Sequence, residues 1–264
     1  MENIRYKIDS LMLDVVKSIH GINPNLYDAI EYVIKSGGKR IRALLLIKIC
    51  DLLNVDQDKS LICGTALEMI HNYSLIHDDL PGMDNDDYRR GIPTCHKKFG
   101  EGLAILAGNG FYTLGLQLLV DGLDRNISID IIKIILASTG ITGLLSGQAD
   151  DISGKNHVIS SEEDISSLID RYYLKTGKLF EAAFLIPGIL ANADREVRKV
   201  LVESGGILGV LYQLADDIAD GQIEGDIIDE LKDSLLSRFY TCIDSLQNEE
   251  LSVIKSFARE CLAF

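Results

Sequence analysis

Apolar positions recur at helical spacing along most of the chain. Leu11, Val15, Val16 and Ile19 share one helical face, and Ile41 through Leu53 repeats the pattern more densely. The same periodicity predicts helices over 66–76, 103–119, 129–145, 165–183 and 201–218, the last unusually apolar. Breaks fall at Gly21-Ile22-Asn23-Pro24, Ser36-Gly37-Gly38, Gly91-Ile92-Pro93-Thr94 and Ser153-Gly154-Lys155-Asn156-His157. Ser160-Ser161-Glu162-Glu163 and Asn192-Ala193-Asp194 carry helix-start chemistry. No segment alternates as a half-buried strand does, and no Pro/Ser-rich linker divides the chain. The expectation is a single all-α domain over 1–264. Helices apolar on several sides imply a bundle around a central cavity, or an oligomer interface.

Composition narrows the partners. A formal charge of −14 argues against nucleic acid and against adhesion to anionic membranes. Met1-Glu2-Asn3-Ile4-Arg5 has no apolar signal core, and no unbroken run of eighteen apolar residues occurs, so stable membrane insertion is not expected. Cys50, Cys63, Cys95, Cys242 and Cys261 are odd in number, scattered and without a CxxC pair. They suit reduced thiols in a cytoplasmic protein.

The charge is concentrated where it has a purpose. Asp78-Asp79-Leu80-Pro81-Gly82-Met83-Asp84-Asn85-Asp86-Asp87 holds five acids in ten positions, directly after the apolar stretch Ala66–Ile76. Such acids repel unless neutralised, and Mg²⁺ reaches proteins through a few carboxylates plus substrate phosphates. The Arg89-Arg90 pair that follows suits phosphate oxygens. Asp78 and Asp84 would not share a face of a regular helix, but Pro81 and Gly82 can break it and swing Asp84 back. Asp79 reads as a supporting acceptor, and Asp86 and Asp87 as partners of nearby basic residues.

A second acidic stripe lies at Gln213, Asp216, Asp217 and Asp220, spaced i, i+3, i+4, i+7. Taken alone it fits a solvated helix face as well as a metal site. Both acid clusters adjoin apolar helices, and ionised carboxylates facing each other without a cation would be costly. Among the cations, Lys39 and Arg42 sit i, i+3 at a helix start, where they oppose the helix dipole and so call for an anion. His71 fits either a core histidine or a ligand contact. Lys175 and Thr176 fit either a phosphate site or an ordinary polar turn, and Gln148 and Asp151 add a weaker hint of a shared cavity.

Together, Gly37–Arg42, Ala66 through Asp79, Asp84–Gly91, Lys175-Thr176-Gly177 and Tyr212 through Asp220 resemble the motifs of the trans-polyprenyl diphosphate synthases, closest to the bacterial farnesyl type, in the family's order and from about the first loop to the end of the chain. The resemblance implies an isoprenoid-synthase helical bundle around a central cavity, usually a homodimer. It implies Mg²⁺, with Mn²⁺ able to stand in, held by Asp78, Asp79, Asp84, Asp216 and Asp220. Asp78, Asp84, Lys175 and Asp216 would be catalytic. Arg89, Lys175, Thr176 and Gln213 would hold the allylic diphosphate, and Lys39, Arg42, His71 and Arg90 the isopentenyl diphosphate. Condensation would lengthen the chain by one isoprene unit, in a pocket that excludes water.

Product length follows from Tyr73 and Ser74. Tyr73 lies five residues before Asp78, about 7.5 Å along the axis at about 1.5 Å per residue. Its phenol would cap the growing chain and leave room at Ser74, which with Pro81-Gly82 resembles a farnesyl-forming synthase. The alternative is that Tyr73 merely packs and that Ile70 or Met69 sets the limit; a geranylgeranyl product stays open.

One segment departs from the family. There the second aspartate motif leads into a loop with a Gly-Lys element and a Lys near a Thr-Tyr pair. Here Asp220-Gly221 runs into Gln222-Ile223-Glu224-Gly225, similar to the helix start beyond that loop, and the chain stops at Ala263-Phe264 before the family's basic tail. The preferred reading is that a mobile lid and tail are missing from the sequence, since every other motif is present. A true deletion would favour a non-catalytic diphosphate-binding partner subunit. A terpene cyclase would need no isopentenyl pocket, so Lys39, Arg42 and His71 disfavour it. Ala43 stands where the family usually has Pro, and Tyr212 where Phe is common.

Overall fold

The computed structural model describes residues 2–153, 162–221, 223, 225–246, 254–256 and 258–259. Gly154 to His157 of one expected loop and Ser160-Ser161 of one helix start lie outside them. So do Gln222, Glu224, Cys261 and Ala263-Phe264.

Helices dominate. They are α1 (Glu2–Lys17), α2 (Pro24–Lys35), α3 (Ile41–Leu52), α4 (Gln57–Asp78), α5 (Cys95–Phe99), α6 (Glu101–Gly122), α7 (Arg125–Thr139), α8 (Leu144–Ser153), α9 (Glu162–Tyr172), α10 (Lys178–Leu190), α11 (Arg195–Ala219) and α12 (Asp226–Asp244). A π-helical turn, Tyr173–Gly177, joins α9 to α10. The expectation of no strand needs a small correction. Tyr88–Arg89 (β1) and Ile92–Pro93 (β2) pair antiparallel. Arg90 and Gly91, with φ of 55° and 79°, make the two-residue turn that such a hairpin requires.

The chain packs as two compact units that alternate in sequence, Met1–Leu44 with Gln57–Ser128, and Leu45–Asp56 with Ile129–Phe264. In the first, α1 contributes Ile8, Met12 and Val16 to a core with Ile30 and Ile34 of α2, Leu67 and Met69 of α4, and Phe111 of α6. Asn23 caps α2 by accepting from the amides of Asn25 and Leu26, with Pro24 at its first position. The helices α4 and α6 run antiparallel along a glycine seam. Gly108, Gly115 and Gly122 stand seven apart and meet His77, Ile70 with the Ala66 carbonyl, and Ile62. A methyl group at Gly108 would lie 2.4 Å from Nε2 of His77.

In the second unit a similar seam joins α10 to α11. Gly205 faces the Phe180 carbonyl and Phe184, and Gly209 faces the Cα of Gly177. Asp194 caps α11 through the amide of Val197, as the Asn192-Ala193-Asp194 signal predicts. The single helix expected over 129–145 is instead broken, because the chain turns at Gly140 and Gly143 between α7 and α8.

By length and composition α6 and the stretch Arg125–Ser153 are apolar enough to cross a membrane. α6 uses one face on the seam with α4 and leaves Ile105, Leu106 and Val120 exposed.

Candidate active site

In the first unit the site forms where α4 ends. The helix stops at Asp78, and Leu80 through Asp84 curl back so that the amide of Asp84 donates to the carbonyl of Asp78 at 2.9 Å. The two acids that the sequence separates by six positions are thereby neighbours, as the Pro81-Gly82 break predicts. Asp79 turns the other way. It is buried and accepts from Nε and Nη2 of Arg89, both at 2.7 Å from Oδ1. Burial pushes its carboxyl up while Arg89 pulls it back down. Arg89 and Asp79, expected on substrate and metal respectively, thus neutralise one another here. Asp86 approaches Arg89 at 3.6 Å and Asp87 pairs with Lys97 at 2.6 Å, as expected for both.

A cationic neighbourhood surrounds His71. Nη1 of Arg42, in the first turn of α3, lies 3.1 Å from its Nε2. Burial first, then the charges of Arg42, Arg90, Arg40 and Arg89, hold this imidazole well below its ordinary value. The hairpin turn carries the Arg90 guanidinium onto the double glycine. Arg90 donates to the Gly37 carbonyl, and a Cβ on Gly38 would lie 2.6 Å from its guanidinium carbon. Gly38 also has φ of 141°, so glycine is required there twice over. Lys39 is exposed on the same loop.

Arg40 serves a different end. It is 2 % exposed and donates to Asp9, Glu68 and the Ile34 carbonyl, tying α1, α2 and α4 together. Tyr73 stands edge-to-face with His77 and with Tyr112 of α6, at 4.8 and 5.0 Å between ring centres. Ser74 is buried, its hydroxyl donating to the His71 carbonyl.

The second unit brings together the downstream candidates. Its π turn follows Tyr172, and such turns recur at functional positions. Because Gly177 and Gly209 let the backbones touch, Thr176 reaches Gln213 and donates to Oε1 at 2.8 Å. Gln213 Nε2 donates to Asp217 at 2.7 Å, and Tyr172 donates to the other oxygen of Asp217. Burial raises the Asp217 carboxyl, opposed by these two hydrogen bonds. Lys175 pairs with Asp151 at 2.5 Å, and Asp151 lies on α8, where the close fit of Gly147 against the Leu174–Lys175 backbone places it.

Asp216 is partly buried near the end of α11 and Asp220 is exposed at its C-cap. Carboxylates at a helix C-terminus oppose the dipole and favour a nearby cation. Among the described residues, no three His, Cys, Asp or Glu groups gather closely enough to hold a metal by themselves. The acids present are hard oxygen donors of the kind Mg²⁺ prefers, and Mg²⁺ ordinarily completes its shell with water and substrate phosphate.

The sequence pattern does not mark Tyr172 or Tyr112 as participants. Asp217 lay within the acidic stripe, but nothing in the pattern marks which tyrosine it would meet.

Comparison with known proteins places the chain in a family. The profile of the polyprenyl synthetase family matches residues 23–230. Over 213 residues the chain is 39% identical to the farnesyl diphosphate synthase of Micrococcus luteus, covering 80% of this chain and 71% of that one. Over 209 residues it is 39% identical to the geranylgeranyl diphosphate synthase of Cyanophora paradoxa, covering 77% and 68%. Among solved structures, an FPP/GFPP synthase from Zymomonas mobilis superposes with a TM-score of 0.90 at 30% identity, covering 99% of this chain and 97% of that one.

Proposed function

The chain belongs to the polyprenyl synthetase family and is a trans-prenyltransferase, and from that premise we propose that it condenses isopentenyl diphosphate with dimethylallyl or geranyl diphosphate to give farnesyl diphosphate. The observation that carries the reading is the cationic setting of His71, built from Arg42, Arg90, Arg40 and Arg89 within the unit that also joins Asp78 to Asp84. A site bordered by Arg42 and Arg90, and a carboxylate pair that would take a diphosphate through Mg²⁺, suit two diphosphates handled in different ways.

Asp78 and Asp84, and on α11 Asp216 and Asp220, are the residues that would hold Mg²⁺, with Asp79 in support. Bound Mg²⁺ supplies Lewis-acid stabilisation of the departing diphosphate. Lys175 and Arg89 add positive charge toward the allylic diphosphate, each now held by a carboxylate from which substrate would draw it. Thr176 and Gln213 present fixed oxygen dipoles toward developing allylic charge. Lys39, Arg42, His71 and Arg90 orient isopentenyl diphosphate, whose double bond attacks the allylic carbon as its C–O bond breaks; loss of a proton then restores an alkene. Neutral His71 keeps an acceptor toward Arg42 without adding a competing charge.

Tyr73, braced by His77 and Tyr112, supports a product that stops at farnesyl length. The geranylgeranyl reading rests on relatives such as that of Cyanophora paradoxa. Exposed Ile105, Leu106 and Val120 on α6 support a homodimer, and four free cysteines among the described residues suit the reducing cytoplasm. Incubation with Mg²⁺, isopentenyl diphosphate and geranyl diphosphate, followed by product chromatography, tests the proposal. Farnesyl diphosphate is expected. Geranylgeranyl diphosphate as end product would correct the length, cyclic hydrocarbons would indicate a cyclase, and binding without turnover a passive partner.

A further inference from the structure

Two adjacent tyrosines flank the start of the π turn, and each donates to a carboxylate. Tyr173 donates to Glu181 at 2.5 Å, beside Lys178, in a local cluster on α10. Tyr172 is 3 % exposed and donates to Oδ2 of Asp217, four residues beyond Gln213 on α11. The direction of each bond in this second cluster is fixed by chemistry. A carboxylate only accepts and an amide nitrogen only donates, so Asp217 Oδ1 selects the nitrogen of Gln213. The amide oxygen then faces Thr176, whose hydroxyl proton it accepts. A flipped Gln213 would lose the Asp217 bond and set its oxygen against a carboxylate oxygen, while the Thr176 hydroxyl could turn to accept from the amide nitrogen.

We infer that Tyr172 is a positioning residue for the allylic half of the reaction: it pins the Asp217 carboxylate, and Asp217 in turn fixes which end of the Gln213 amide faces Thr176. Asp217 also feels its charged neighbours, repelled by Asp151 and, more weakly, drawn by Lys175. Without the tyrosine proton, one oxygen of Asp217 is released, the carboxylate turns, and the Gln213 amide populates both orientations. The flipped orientation points an N–H, with its positive end, where the oxygen belongs. The inference rests on the prenyltransferase reading above and assigns a role to a side chain outside the acid and Lys-Thr motifs.

The test is a double-mutant cycle on steady-state prenyl transfer with Mg²⁺, isopentenyl diphosphate and geranyl diphosphate. Tyr172→Phe should lower kcat about tenfold while the KM for isopentenyl diphosphate, bound in the other unit, stays within about twofold. In a Gln213→Ala background the same substitution should cost less than about twofold, since the residue it positions is gone. Tyr173→Phe, which breaks a matched bond off this relay, should leave kcat within about twofold in either background. Where Tyr172→Phe does not fold, Tyr172→His, which keeps a ring donor, should retain most of the activity. Equal losses for Tyr172→Phe in both backgrounds, losses matched by Tyr173→Phe, or an inactive but folded Tyr172→His would overturn the inference and leave the prenyltransferase reading in place. Absence of turnover by the unmodified protein would remove both.

Discussion

Nη1 of Arg42 lies 3.1 Å from Nε2 of His71, and because a guanidinium only donates, that ring nitrogen is the acceptor and the proton sits on Nδ1. A protonated His71 would lose this bond and face like charges. Its folded-state pKa is accordingly lowered from the ordinary 6.5, by burial and then by Arg42 and the neighbouring arginines. The unfolded chain therefore binds a proton here at a pH where the folded one does not. His71 stabilises the fold fully above about pH 6.5, and that contribution drains away as pH falls from there toward the folded-state value, by up to about 1.4 kcal/mol per pH unit. Urea midpoints between pH 5 and 8 should show this slope, and His71→Gln should flatten it.

Gly38 leaves no room for a side chain beside the proposed isopentenyl site. Alanine there would be strained at φ 141° and would meet the Arg90 guanidinium. Gly38→Ala should raise the KM for isopentenyl diphosphate by about tenfold or more, which corresponds to about 1.4 kcal/mol of lost binding. The KM for geranyl diphosphate should change much less. Initial-rate kinetics with each substrate varied in turn would distinguish the two.

The fold was legible in sequence wherever apolar periodicity ran long, as in α4, α6 and α11. It was not legible where periodicity continued through a break. Ile129 to Leu145 reads as one helix, yet Gly140 and Gly143 turn the chain between α7 and α8. The pattern gives no helix over 24–35 because Asn23-Pro24 reads as a loop, although the same pair supplies the cap and first residue of α2. Site residues defined by local spacing emerged readily, including the return of Asp84 to Asp78. Arg40, between Lys39 and Arg42 in sequence, is consumed by Asp9 and Glu68, a pairing between α1 and α4 that no local pattern encodes.

Tyr73 meets Tyr112 edge-to-face at 5.0 Å, so the proposed stop is a braced pair of phenols on two helices. Tyr73→Ala should lengthen the main product by at least one isoprene unit. Tyr112→Ala alone should loosen the limit and give a mixture, since Tyr73 keeps its contact with His77. Chromatography of dephosphorylated products reads both. Unchanged product length in Tyr73→Ala would shift the limit to Ile70 or Met69.

Asp84 owes its place to the turn that brings its amide to the Asp78 carbonyl. Asp84→Asn keeps the backbone bond and removes a charge from the proposed metal site. Its kcat should fall by on the order of a hundredfold or more, as expected when several kcal/mol of charge stabilisation is withdrawn. The Mg²⁺ concentration for half-maximal rate should rise. Thermal stability should hold or improve, because one of two neighbouring like charges is gone.

The most direct measurement follows labelled isopentenyl diphosphate into product. With geranyl diphosphate and Mg²⁺ present, label should enter an acid-labile allylic diphosphate longer by one isoprene unit. A chelator should abolish the transfer and added Mg²⁺ should restore it. Label that remains in isopentenyl diphosphate while both substrates bind and Mg²⁺ is saturating would contradict the account.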